Sequence, residues 1–65
     1  MLTELENSIL NELDKQSVKS NVIAVIMNKL DDDNKKNKFL SYLINKRNEL
    51  ITSHELLYEL THITK

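Results

Sequence analysis

The groups able to do chemistry in this chain of 65 residues are few, and their spacing limits what they can do. His54 and His62 are the two histidines, eight residues apart with Tyr58 midway. Glu55, Glu59 and His62 fall at i, i+4 and i+7, so on a helix they share one face. Such a face could offer zinc ligands if a second chain completed the set. The same pattern describes an exposed polar edge ending in His62 near a helix C-terminus, where the protonated imidazole meets the negative end of the dipole. The polar edge is the preferred reading, and no metal is assigned.

Asp31-Asp32-Asp33-Asn34 invites comparison with a calcium loop. Counted from Asp31, the fifth and sixth positions are Lys35 and Lys36 and the twelfth is Tyr42, so both the turn glycine and the bidentate glutamate are missing. The cluster reads instead as a solvated helix cap. Serine, histidine and aspartate are all present, but nothing in the chain forms the strand-turn-helix elbow that raises a nucleophile. The absence of glycine removes phosphate-cradling loops, whose backbone angles only glycine reaches cheaply. The absence of cysteine removes disulfides, thiolate sites and thiol nucleophiles. A small bundle also encloses little pocket volume. The chain is therefore read as non-enzymatic, with no catalytic residues, no cofactor and no small-molecule substrate.

The remaining candidates are binding residues. Lys35, Lys36, Lys38, Lys46 and Arg47 make the third segment basic, with Tyr42 among them. A recognition helix in a DNA major groove has this character, with phosphate contacts as its main source of affinity. Alternatively, these cations pair with acids of the first segment, namely Glu4, Glu6, Glu12 and Asp14. Tyrosine and arginine are also the side chains that most often anchor protein contacts. The partner-binding candidates are thus Lys35, Lys38, Tyr42, Lys46 and Arg47 on the third segment, or the edge of the fourth around Tyr58.

Nine basic and ten acidic residues give a net charge of −1, which does not suit a strongly basic nucleic-acid binder. The charge is uneven: residues 1–33 hold seven acids and three bases, −4, and residues 34–65 hold three acids and six bases, +3. Pairing between the halves is favoured over steering of a partner. No apolar run approaches the roughly 18–20 residues of a membrane span, and no basic stretch leads into an apolar one at the N-terminus, so the expected location is the cytoplasm. Asn, Lys and Ile supply 22 of the 65 residues. Their AT-rich codons point to a low-G+C bacterium or its phages and plasmids.

Four segments must position these groups. Leu2, Leu5, Ile9, Leu10 and Leu13 recur at helical spacing, behind Thr3-Glu4-Leu5-Glu6, a capping box in which hydroxyl and carboxylate each bond the other's amide. Val22 to Met27 is β-branched and continuous, which suits a strand. No second strand exists to pair with it, so a helix from about 18 to 30 is expected, capped by Ser17 or Ser20 and the most buried of the set. Phe39, Leu40, Leu43, Ile44, Leu50 and Ile51 make the stripe of a third helix reaching residue 50. Thr52 to Glu55 is a second capping box, flanked by Ile51 and Leu56 as a hydrophobic staple, and opens a fourth helix with Leu56, Leu57, Leu60 and Ile63 inward. Lys15-Gln16-Ser17 is the weakest break. A helix running through it would open the bundle into a swapped dimer.

Ser53-His54-Glu55-Leu56 resembles the Ser-Gln-Glu-Leu-Asp motif of small helical-hairpin phosphatases that act on sporulation response regulators. Here His54 stands at the motif's second position and Leu57 at its fifth. The likeness covers a handful of residues that the capping box also accounts for, and the activity is not carried over. Bacteriocin immunity proteins are similar small helical bundles, an analogy at the level of fold.

These readings converge on one all-α domain, residues 1–65, built as a small bundle of three to four short antiparallel helices over about 3–14, 18–30, 33–50 and 53–63. A chain this short buries only about 60% of its surface on folding, so a dimer is expected. The expected function is a protein–protein interaction module: a regulator, inhibitor or immunity-type protein acting on a larger partner through an exposed helix face. The alternative is a DNA-binding repressor or accessory protein using the third helix, and a purely structural homo-oligomer is a third possibility.

Overall fold

A computed structural model describes residues 2–64 and contains four helices: α1 (Glu4–Lys15), α2 (Ser20–Lys29), α3 (Asp33–Asn45) and α4 (Ser53–Ile63). Val22 to Met27 lies in α2, so the β-branched run is helical. Each helix sends one i, i+4 pair into a shared core. The pairs are Ile9 and Leu13 from α1, Ile26 and Leu30 from α2 and its C-cap, Phe39 and Leu43 from α3, and Leu56 and Leu60 from α4; Ile51 adds a ninth side chain from the α3–α4 loop. None of the nine is more than 5% exposed. No helix among the described residues is long and apolar enough to cross a membrane.

The helices do not pack in the serial order of an up-and-down bundle. The close pairs are α1 with α3, α3 with α4, and α2 with α4, so only one of three chain-adjacent pairs is closely packed. The radius of gyration is 10.5 Å, matching the roughly 11 Å of a compact single domain this long. The core thus closes within one chain, and the self-association expected from length rests on length alone.

Side chains place three of the four helix starts. The Thr3 hydroxyl accepts from the Glu6 amide at 3.2 Å, and the Glu6 carboxylate accepts from the Thr3 amide at 3.1 Å, completing the first capping box. Asp32 caps α3 by accepting from the Lys35 amide at 2.8 Å. Thr52 caps α4 by accepting from the Glu55 amide at 3.2 Å. Ile51 and Leu56, the staple residues, are both buried. The N-cap of α2 is Lys19, which makes no side-chain bond to the helix, so neither Ser17 nor Ser20 caps it.

Three expectations are corrected. The stop after α1 is firm: Ser17 adopts φ 58°, its amide donates to the Asp14 carbonyl at 3.0 Å, and the Val18 amide reaches back to the Leu13 carbonyl at 3.2 Å. This is a Schellman motif, with serine in the left-handed position glycine usually takes, and Val18 packs on the core beside it. The helix α2 is not the most buried. Ile26 is its one fully buried residue and Val25 is 47% exposed, because α2 is closely covered on one side alone, by α4. Finally, α3 ends at Asn45 rather than residue 50. The Arg47 amide bonds the Ile44 carbonyl and the Glu49 amide bonds the Lys46 carbonyl, tightening the chain into turns. Leu50, assigned to the buried stripe, is instead 87% exposed.

A groove between the third and fourth helices

The end of α1 holds the α3–α4 loop in place. The Glu12 carboxylate, 9% exposed, accepts from Arg47 Nη2 at 2.8 Å and Nε at 3.2 Å, a two-point pair, and lies 3.3 Å from Lys15 Nζ. Hydrogen bonding to Arg47 is the main reason the Glu12 pKa lies below its ordinary value. One turn on, Gln16 Nε2 donates to the Glu49 carbonyl at 3.0 Å, and Gln16 Oε1 accepts from the Ile51 amide at 3.2 Å. A single amide thus pins the backbone on both sides of Leu50, and the loop sets the position of α4 relative to α3.

With the loop fixed, α3 and α4 flank an open groove of about 420 Å³ lined by Tyr42, Lys46, His54, Glu55, Tyr58 and Glu59. Helical spacing assembles it: Tyr42 and Lys46 are four apart, as are His54 and Tyr58, and Glu55 and Glu59. Tyr42 is half-buried, its ring centroid 6.1 Å from that of Phe39, which anchors it to the core. Tyr58 is 70% exposed and stacks on His62 with centroids 6.2 Å apart. Burial raises the Tyr42 pKa, and the negative charges of Glu55, Glu59 and Glu49 raise it further. Lys46 Nζ lies 3.7 Å from the Glu49 carboxylate. No carboxylate of α4 has a cationic partner within 4.0 Å among the described residues.

The structure separates the candidate binding residues into two sets. Tyr42, Lys46 and Tyr58, which the sequence divides between two alternative faces, line one groove. The others go elsewhere. Lys35 Nζ pairs with Asp31 at 2.7 Å, and Arg47 is engaged with Glu12. Lys38 is exposed, with no carboxylate of a described residue within 4.0 Å. Lys36 lies 3.8 Å from Glu6, tying α3 to α1. Pairing between the acidic first half and the basic second half therefore occurs over long range at Glu6 with Lys36 and at Glu12 with Arg47, and locally at the start of α3, where Lys35 meets Asp31.

Sequence reasoning missed His54, Glu55 and Glu59 as groove residues. Their signal is two i, i+4 pairs, but the spacing from Thr52 places Glu55 in a capping box. At Thr52 only the hydroxyl half of that box forms: the Glu55 carboxylate makes no hydrogen bond to the Thr52 amide, and Glu55 lines the groove instead. Among the described residues no three of the His, Asp and Glu side chains come together as a set able to hold a metal ion. The Ser53–Leu56 segment is the first turn of α4, with Leu56 fully buried. No protein-family model, no curated protein and no solved structure matches this chain.

Proposed function

We propose that this chain is a non-enzymatic protein–protein interaction module that binds a larger partner through the α3/α4 groove. In this reading it regulates, inhibits or neutralises that partner by covering a surface or biasing its conformation, as an immunity-type or regulatory protein of a low-G+C bacterium or its phage would. One observation carries the reading: Tyr42 and Tyr58, with Glu55 and Glu59, converge on one open groove whose walls are fixed by the Glu12 and Gln16 contacts to the intervening loop. Tyrosines on a rigid frame lose little entropy on binding, which favours them as interface anchors.

The ion pairs weigh against duplex DNA as the partner. Four of the five cations from Lys35 to Arg47 lie within 4.0 Å of a carboxylate. A phosphate backbone would have to displace those carboxylates before gaining the same charge. Affinity capture from the source organism provides the test. The expected result is one stoichiometric partner, retained by Lys38→Glu and lost by Tyr58→Ala. Retention by Tyr58→Ala together with loss by Lys38→Glu would overturn the groove reading and support the basic face of α3.

A further inference from the structure

We propose that the α3/α4 groove receives an arginine side chain from a basic segment of the partner protein. This rests on the reading of the groove as the partner-binding face and adds the chemistry of what enters it. Charge complementarity is the argument. The groove presents two tyrosine rings and two carboxylates one helical turn apart, Glu55 and Glu59. Neither carboxylate has a cation within 4.0 Å among the described residues. The one lysine that lines the groove, Lys46, lies instead beside Glu49. Glu55 is also released from the capping role its position offers: Glu6 closes the equivalent box at α1, whereas at α4 the Thr52 hydroxyl acts alone. Burial is the main cause of the raised Tyr42 pKa, and the charges of Glu55, Glu59 and Glu49 add to it.

An arginine side chain answers each of these features. Its guanidinium is planar and stacks on an aromatic face. Its forked N–H groups bond a carboxylate at two points. Five donors allow it to engage both Glu55 and Glu59, which a lysine ammonium, a compact and strongly hydrated charge, matches less well. A volume of about 420 Å³, within the roughly 300–1,000 Å³ typical of ligand pockets, leaves room for a long side chain to enter.

The test is an amide NMR titration of the full chain with three alanine-based helical peptides that differ at one central residue: arginine, lysine or citrulline. Citrulline keeps the shape of arginine and removes its charge. The expected result is a shift of Tyr42, His54, Glu55, Tyr58 and Glu59 with the arginine peptide. The midpoint should be about threefold weaker for lysine and about tenfold weaker for citrulline. The Glu55→Gln, Glu59→Gln double variant alters two surface-facing side chains, and its unchanged core amides will show that it folds. It should bind the arginine peptide about tenfold more weakly. Equal binding of the arginine and citrulline peptides in the groove would overturn the arginine inference and leave the groove reading intact. No groove shift with any peptide, or shifts on another face, would also overturn it, while the capture experiment with Tyr58→Ala would still decide the groove reading on its own.

Discussion

Glu12 is the one charged residue buried among those described, and its surroundings explain why it is tolerated. A buried carboxylate is costly unless charged and hydrogen-bonded neighbours replace water. Arg47 supplies two bonds and Lys15 a third. Glu12→Gln keeps the shape but removes the charge and turns one of the two acceptor oxygens into a donor, so the two-point pair with Arg47 is lost. The expected loss of stability is roughly 1–3 kcal/mol by denaturant unfolding; an unchanged midpoint would mean that the pair does not hold the loop. Tyr42 offers a second measurement. In a Tyr58→Phe background it is the sole tyrosine, so its ionisation can be followed by ultraviolet absorbance. It should titrate above the ordinary value of 10.0, and Glu55→Gln with Glu59→Gln should bring it part of the way back, burial remaining the larger cause. At this scale the sequence showed which residue types could bind. It did not show that Arg47 would be taken by Glu12, because the two lie 35 positions apart and only the fold brings them together.

The elements were legible wherever a side chain caps them. Thr3, Asp32 and Thr52 place three helix starts within a residue of expectation, because a hydroxyl or carboxylate accepting an amide three residues on is a local interaction. The end of α3 was not legible. Leu50 and Ile51 continue its apolar spacing, yet the long-range clamp from Gln16 and the burial of Ile51 turn the chain at Lys46. No glycine marks the stop at Ser17, so the sequence alone makes it look soft; the backbone adopts the glycine conformation regardless. That substitution of serine for glycine predicts a stability change. A non-glycine residue in the left-handed region carries a penalty of about 1 kcal/mol or more, only partly offset by the greater unfolded-state freedom of glycine. Ser17→Gly should therefore stabilise the fold by about 0.5–1 kcal/mol, raising Tm by a few degrees in a domain this small. Ser17→Val, β-branched and poorly suited to positive φ, should lower it. A Tm unaffected by both changes would contradict the left-handed turn.

At the scale of the molecule, the two halves carry opposite charge and are joined through it, so stability must depend on pH in a definite direction. Glu6, Glu12 and Asp31 all have lowered pKa values: Glu6 chiefly through its hydrogen bonds from Thr3, Glu12 through Arg47, and Asp31 through Lys35. A carboxyl whose pKa is lower in the folded state binds fewer protons there than when unfolded. Its stabilisation is complete above the unfolded value and is lost as pH falls through the folded one. For the glutamates the unfolded reference is 4.5 and for Asp31 it is 3.8. Unfolding free energy should therefore hold level at neutral pH, begin to fall below about pH 5, and continue falling as each acid protonates in the folded protein. At the alkaline end Lys35, its pKa raised chiefly by the Asp31 hydrogen bond, acts alongside Tyr42. The Tyr42 pKa is raised, so the neutral phenol stabilises the fold below 10.0, and that contribution is lost as pH climbs through the folded value. The profile should be a plateau with two shoulders of different origin. Glu12→Gln should reduce the acid shoulder, the Glu6 and Asp31 contributions remaining, and leave the alkaline one in place, while Tyr42→Phe should reduce the alkaline shoulder, the Lys35 contribution remaining. Urea midpoints across the pH range for the chain and both variants will measure this. An acid shoulder unchanged in Glu12→Gln would mean that the α1–loop contact is not among the charge pairs that hold the two halves together.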